Sequence, residues 1–402
     1  MSTKARILLA AIAFFIVDLV ITPFWSGWLV QARLDPLLAL PPRLVTCTLP
    51  IAMVASLPQR DRRKLYAALL FAVTAFGMLL TAGMGARMAW LQHGVLALVS
   101  GAWFLLGDAL LHHGRERWAE RRMLVKVGVV LLAILLGLSA TFAVRKAYQP
   151  PQETTPLALL TGLPLVWSED EGALTLDQAA PRPALQLLDQ RFTVTPLDAL
   201  TAQTLPQTGP LLIAHPRALA PGELVALDAW VRQGGKVLIL ADAFLAWEPP
   251  YALGDTRNPP ITSLLTPLFD HWGLDLVLPA SGPDTPVLTL LDANKRLTLA
   301  AAGVFSLKNK TGDARCMISL GGARADCTIG KGKAILLSDA DMLHEKLWLA
   351  PTALQSGGVD LSPALWRADN MGWVADTLNG LSGQTAQPAL ADPVWARLHN
   401  KE

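Results

Sequence analysis

Four side chains are of the types from which hydrolytic or metal chemistry is built: His215, Asp242, Asp339 and Asp341. Each follows a short apolar run. His215 comes after Leu211-Leu212-Ile213-Ala214, Asp242 after Val237-Leu238-Ile239-Leu240-Ala241, and Asp339 and Asp341 after the stretch Ala334 to Leu337. If these runs are neighbouring strands, the four groups converge at the strand carboxyl ends. There, carboxylates and an imidazole could hold a divalent ion and activate water. Asp and His at strand ends are also ordinary turn and capping residues. We therefore read the four as a candidate ligand-binding edge, with no catalytic residue and no resident metal. A metal-dependent hydrolase is the alternative.

Two further motifs bear on chemistry. Gly330-Lys331-Gly332-Lys333 resembles a phosphate loop in composition, but it lacks the P-loop spacing and the following Ser or Thr. It also precedes a strand instead of following one, so it reads as a turn. Cys316 and Cys327 flank Gly321-Gly322, a pair suited to a two-residue hairpin turn. That register sets the cysteines directly opposite each other, where Cα separations of about 4.5–5.5 Å lie within reach of a disulfide. The other reading is two buried free thiols. Three cysteines are too few for a disulfide-dense scaffold and have no zinc spacing.

The element that must position this chemistry runs from Leu211 to Asp242. It predicts strand, helix, strand. Continuous apolar runs suit strands buried on both faces, as in a parallel sheet. Between them, Leu224, Leu227, Asp228 and Val231 recur at helical spacing. Pro221 opens the helix and Gly234-Gly235 closes it. Parallel strands joined by a helix form a right-handed unit that keeps its functional groups at the strand carboxyl ends.

The chain of 402 residues is long enough for two or three domains. Charged residues make up 16%, against about 25% in ordinary soluble domains, which predicts that part of the chain lies in lipid. A net charge of +2 excludes a strongly basic nucleic-acid binder. Residues 1–148 hold five apolar stretches: Ile7 to Val30, Leu37 to Leu57, Leu65 to Ala86, Ala89 to Leu111 and Leu124 to Val144. The first has Lys4 and Arg6 before it and bulky Thr22-Pro23-Phe24-Trp25 where a cleavage site would need small residues, so it reads as a retained anchor. The second is interrupted by Pro41, Pro42 and Arg43. Retaining it puts two basic clusters on the cytoplasmic side, Arg60-Arg62-Arg63-Lys64 and Arg115-Arg117-Arg121-Arg122, as the positive-inside rule requires. Arg43 is then expected to snorkel to the outer surface. Asp18, Arg87, His93 and Asp108 lie in or near spans. They could form a proton or ion path; helix-to-helix pairing or interfacial placement is the plainer expectation.

Residues 149–156 form a proline-rich linker. The α/β domain spans 157–383, and 384–402 is a tail without a signal. Within the domain, Leu157 to Leu160 predicts a strand, Pro183 to Gln190 a helix and Phe192-Thr193-Val194 a strand. Ser168-Glu169-Asp170-Glu171-Gly172 reads as a solvated acidic loop. Ile261, Leu264, Leu265, Leu268 and Phe269 predict a helix that stops at Gly273. Leu274 to Leu278, Val287 to Leu291 and Arg296 to Ala300 are strand-like, and Asp369 to Leu381 predicts a last helix.

Several pieces, in order, resemble the periplasmic domain of the gliding-motility-type (GldG-like) auxiliary ABC-transporter proteins. They are Leu157-Ala158-Leu159-Leu160-Thr161-Gly162, Leu211 to Pro216, Leu219-Ala220-Pro221-Gly222-Glu223 and Gly234-Gly235-Lys236-Val237-Leu238-Ile239-Leu240. Gly332-Lys333-Ala334, Ser338 to Leu343 and Asp369-Asn370 with the helix to Gly383 complete the set. The resemblance implies a flavodoxin or class I glutamine amidotransferase-like sheet behind a bundle of about five transmembrane helices. Amidotransferase chemistry needs a cysteine on the turn after a strand, and here that turn reads Ala241-Asp242-Ala243. The expectation is a multi-pass inner-membrane protein with a cytoplasmic N-terminus and a periplasmic domain, non-catalytic and without a cofactor. Its partners would be the lipid bilayer, an ABC permease and a separate ATPase, with no nucleic acid. A pure membrane scaffold is a further alternative.

Overall fold

The computed structural model describes residues 2–25, 33–34, 38–83, 90–117, 122–147, 155–166, 182–249, 251–252, 254–279, 287–292, 295–308, 314–355, 358–361, 365–383 and 394–395. The chain divides into two compact units, Met1–Gln149 with Pro388–Glu402, and Pro150–Gln387.

The first unit is helical: α1 (Thr3–Trp25), α2 (Leu40–Val54), α3 (Gln59–Gly83), α4 (Trp90–Arg117) and α5 (Arg122–Ala147). Among the described residues, three helices hold stretches long and apolar enough to cross a membrane: Thr3–Thr22, Gln59–Ala82 and Gln92–His113. Leu40–Val54 and Val127–Ala140 are shorter apolar stretches. Phe14, Ile51, Tyr66 and Phe104 are buried between the helices, with Tyr66 stacked on Phe104 at 4.9 Å. Phe71, Leu79, Leu98, Leu131 and Phe142 face outward. A bundle apolar on its outer surface as well as inside is compatible with membrane association. In the same unit Arg33–Leu34 pairs antiparallel with Val394–Trp395, so part of the supposed signal-free tail has a defined place.

The polar residues of this unit pair with one another. Arg43 Nε lies 3.0 Å from Asp18 Oδ1, and the same oxygen accepts the hydroxyls of Thr22 at 2.9 Å and Thr46 at 3.1 Å. Arg43 therefore does not snorkel outward; its charge is met inside the bundle. Arg62 donates to both oxygens of Asp108, at 2.7 and 3.0 Å, and Tyr66 adds a third hydrogen bond at 3.0 Å. His93 is buried, with Thr81 Oγ1 3.4 Å from its ring. Arg87 lies outside the described residues.

The second unit is built on a seven-stranded sheet. In chain order its strands are β1 (Thr155–Thr161), β2 (Phe192–Pro196), β3 (Leu211–Ala214) and β4 (Lys236–Leu240). Two small antiparallel pairs follow, β5 (Leu274–Val277) with β8 (Val304–Leu307), and β6 (Leu288–Asp292) with β7 (Lys295–Leu299). The chain then returns to the sheet as β9 (Arg315–Ser319), β10 (Arg324–Ile329) and β11 (Gly332–Leu337). The strand order is β9-β10-β11-β4-β3-β1-β2. Strands β11, β4, β3, β1 and β2 are parallel, and β10 turns antiparallel between β11 and β9.

Both faces of the sheet are covered. Leu157, Leu159, Leu212, Ala214, Leu238 and Leu240 face α6 (Pro183–Arg191) and a long helix, Asn370–Ser382, through Leu187, Leu188, Met371, Val374 and Leu378. The alternate residues Leu160, Leu211, Ile213, Val237 and Ile239 face α7 (Pro221–Arg232) and α8 (Thr266–His271), through Leu227, Val231, Leu268 and Phe269. This two-sided burial is why β3 and β4 are apolar without alternation. At about 1.5–3 kcal/mol per fully buried Leu, Ile or Val, it is the main term holding the unit together.

Two local expectations are corrected. The helix expected from Ile261 begins only at Thr266, with Pro267 in its first turn. Residues 261–263 instead bond to the segment after β4: Ser263 N–H donates to Asp242 O at 2.7 Å and Leu245 N–H to Ile261 O at 2.8 Å. The β9–β10 turn occupies Leu320 to Ala323 rather than two residues, with positive φ at Leu320 (52°), Gly321 (63°) and Gly322 (98°). Cys316 is still paired with Cys327, and the two are joined as a disulfide with Cα atoms 4.0 Å apart. The expected linker 149–156 falls mostly outside the described residues, Thr155 and Pro156 already belonging to β1; the acidic loop at 168–172 also falls outside them.

Candidate functional site

The sheet register brings the four sequence-selected residues together. β4 and β11 are adjacent and parallel, with Leu240 opposite Leu337. Asp242 and Asp339 each come two residues later, so they leave the sheet side by side. Ala214 of β3 is opposite Leu240, which sets His215 beside the start of the same turn. His215 and Asp242 approach to 3.7 Å. Asp242, Asp339 and Asp341 each offer a carboxylate oxygen, and these three oxygens lie within 4.8 Å of one another.

His215 has no free nitrogen. Its Nε2 lies 2.7 Å from the carbonyl oxygen of Pro260, which can only accept, so Nε2 carries the proton. The backbone N–H of Asp242 then donates to Nδ1 at 3.3 Å. Burial holds the ring's pKa below the usual 6.5, against a smaller upward pull from the Pro260 bond. The imidazole is neutral and wholly occupied by backbone partners. It also supports a backbone φ of 44° at its own position, a conformation that costs a non-glycine residue free energy unless its surroundings hold it. Through these two backbone bonds His215 clamps β3, β4 and residue 260 together.

The carboxylates are different. Asp242 and Asp339 have no exposed surface and Asp341 has 2%. Backbone N–H groups hold one oxygen of Asp242 and of Asp341 and both of Asp339: Ala340 to Asp242 Oδ2 at 2.7 Å, Ala246 to Asp341 Oδ2 at 2.7 Å, and Met342 and Ala300 to the two oxygens of Asp339 at 2.7 and 2.5 Å. Asp242 Oδ1 and Asp341 Oδ1 are buried with no hydrogen-bond partner. Burial, with the charges of Asp339 and Asp341, pushes the Asp242 carboxyl well above the usual carboxylate range. Burial and the Asp341 charge do the same to Asp339, and burial pushes Asp341 up to about 7. At an effective dielectric of about 20, two unit charges no more than 4.8 Å apart repel by at least roughly 3.5 kcal/mol. The three groups therefore need a counter-charge or protons.

Sequence reading missed the donors. Ala246, Ala300 and Met342 contribute only backbone N–H groups, which no residue type announces. It also missed a separate pocket of about 260 Å³ at the carboxyl ends of β1, β2 and β3, lined in part by Thr161, Gly162, Asp198, Arg217 and Arg257. It lies where the chain, having run from β1 to β2, crosses back to β3 on the other side of β1, the position at which open parallel sheets bind ligands. A Cβ on Gly162 would come within 2.7 Å of His215 O, so the turn beneath the pocket requires glycine. Both arginines are already tied down, Arg217 to the carbonyls of Thr256 and Arg257, and Arg257 to Asp255.

Residues 157–277 match the family described as an ABC-type uncharacterized transport system. This segment resembles an ABC transport family. The matched stretch is less than half of the chain and runs from β1 to β5; it contains His215 and Asp242 but not Asp339 or Asp341. No curated protein matches the chain. Among solved structures, the mmIFT52 N-terminal domain is 13% identical over 58% of this chain and 100% of that one, at a TM-score of 0.35. Cytoplasmic Protein STM1381 from Salmonella typhimurium LT2 is 13% identical over 56% and 99%, at 0.32. The exo-beta-1,4-mannosidase Op5Man5 from Opitutaceae bacterium strain TAV5 is 13% identical over 54% of this chain and 35% of its own, at 0.28. Likeness at this level assigns neither fold nor function.

Proposed function

We propose that this chain is a non-catalytic, membrane-anchored auxiliary subunit of an ABC-type transport or envelope-assembly system. The observation that carries the reading is the match of residues 157–277 to an ABC transport family, on a chain whose N-terminal unit has three helices apolar and long enough for a bilayer. A permease and a separate ATPase are the partners, since the sequence contains no nucleotide-binding motif of its own. The finer likeness is to the gliding-motility-type auxiliary proteins, with an amidotransferase-like sheet stripped of its nucleophile. In support, β4 runs into Ala241-Asp242-Ala243, and the domain's two cysteines are consumed in the β9–β10 hairpin.

In this proposal all five helices cross, the N-terminus is cytoplasmic and the α/β unit is periplasmic. The disulfide supports it, because such bonds persist in oxidising compartments. The length of α2 weighs against it: fifteen residues make about 22 Å of helix, short of a hydrocarbon core of about 30 Å. Affinity capture of the full chain from lightly cross-linked native membranes tests the assignment. An ABC permease and ATPase should be enriched together. Their absence, or glutamine hydrolysis by the purified protein that is lost on Asp242→Ala, would remove the reading.

A further inference from the structure

We propose that Asp242, Asp339 and Asp341 bind one hard divalent cation, with calcium as the best fit, and that this ion locks the turns following β4 and β11 together. The proposal is independent of the transport reading and assigns the ion a structural role.

Three features lead to it. The first is donor chemistry. Only carboxylate oxygens are on offer, because both nitrogens of His215 are engaged by the backbone of residues 242 and 260. An oxygen-only set selects calcium, magnesium or manganese over zinc or copper. The second is the pair of orphaned oxygens. Asp242 Oδ1 and Asp341 Oδ1 have no hydrogen-bond partner although their residues are 0% and 2% exposed. Buried polar atoms are nearly always satisfied, and two orphans within one cluster indicate a missing positive partner. The third is charge. Among the described residues no lysine or arginine pairs with any of the three, and His215, which approaches Asp242, is neutral. Unpaired buried charge is costly, so the cluster has to be neutralised.

Hydration chooses within the hard cations. Magnesium demands near-ideal octahedral geometry and gives up its waters reluctantly, whereas calcium accepts irregular carboxylate sites. The three carboxylates are buried, which favours calcium. The backbone bonds from Ala340, Ala246, Met342 and Ala300 already fix the carboxylates, so little ordering is left for the ion to impose. Asp242 comes from the turn after β4, and Asp339 and Asp341 from the turn after β11. An ion between them bridges the carboxyl ends of two central strands.

The experiment uses the full chain in detergent, stripped with chelator and returned to metal-free buffer near neutral pH. Bound metal is measured after equilibration with calcium or magnesium chloride, and thermal unfolding is followed by tryptophan fluorescence across the titration. One calcium per chain is expected, with the melting temperature rising by roughly 5 °C at about a hundredfold excess over the dissociation constant. Asp341→Asn and Asp242→Asn keep the side-chain shape and the bond from backbone N–H, and each should weaken calcium binding at least tenfold. If a variant does not fold, the wild-type measurement decides alone. Absence of bound calcium and magnesium from the wild type, with no change in melting, overturns the proposal and assigns protons as the neutralising charge. A calcium effect of equal size in both folded Asn variants overturns it too, since the ion would then bind elsewhere.

Discussion

His215 and Asp242 look equivalent in the sequence, each the first ionisable group past an apolar run, yet their chemistry diverges because of the backbone around them. His215 meets one carbonyl and one N–H. These fix it as the neutral tautomer with its proton on Nε2. Ring-nitrogen NMR of histidine-labelled protein should show that tautomer at neutral pH, with the proton on Nε2 and none on Nδ1. Because the folded ring takes up a proton less readily than the unfolded one, its contribution to stability is complete above 6.5 and declines as the pH falls below that value. A His215 signal from the tautomer protonated on Nδ1 would contradict this assignment. His215→Leu strands the Pro260 carbonyl and the Asp242 N–H, and should cost about 2–5 kcal/mol in chemical denaturation of the α/β unit. Residue type was enough to find all four candidates. It could not separate clamp from carboxylate cluster, because the deciding partner of His215, the Pro260 carbonyl, lies 45 residues away and belongs to no side chain.

At the scale of elements, the β3–α7–β4 unit was legible in full: its strands carry the continuous apolar runs that burial on both faces demands, and Pro221 and Gly234 mark the helix ends. The segment between β4 and α8 was not. Its apolar residues Ile261, Leu264 and Leu265 have helical spacing, but Ser263 and Leu245 draw its backbone into bonds with the turn after β4, a long-range preference that local pattern cannot reveal. Gly330-Lys331-Gly332-Lys333 is informative in the opposite sense, since its glycines serve packing. A Cβ at Gly332 would stand 1.9 Å from Val231 O and 2.4 Å from Gly235 O. Gly332→Ala should therefore destabilise the unit by about 3 kcal/mol, the upper part of the range for overpacking, whereas Lys331→Ala should leave its denaturation midpoint unchanged. The β9–β10 hairpin tests a further point. Replacing Cys316 and Cys327 together by serine should lower stability by up to roughly 3 kcal/mol without loss of the sheet, because the closed loop is short and the hairpin retains local order when unfolded. Loss of the folded unit would show that the bridge is essential to the sheet and not merely an addition at its edge.

At the scale of the whole molecule, five hydrophobic stretches were legible and so was the α/β unit after them, but the fate of the charges inside the helical unit was not: hydropathy shows that a charge is present, not which helix answers it. Asp108→Ala leaves Arg62 buried without its bidentate partner, and should cost about 3–5 kcal/mol in unfolding from detergent. A topology reporter fused after Pro151 should report the periplasm; a cytoplasmic signal would remove the five-span proposal and the disulfide argument with it. The Arg62–Asp108 pair carries a consequence for how the protein is made. Arg62 sits near the start of α3 and Asp108 late in α4, and each satisfies the other. In the proposed topology Arg62 stands in the basic cluster at the cytoplasmic end of α3, where water and headgroups meet its charge until α4 has been made. The pair then closes the α3–α4 hairpin only after α4 has returned to that side, so cysteine cross-links between the Arg62 end of α3 and the Asp108 end of α4 should form in full-length wild type and less readily in Asp108→Ala.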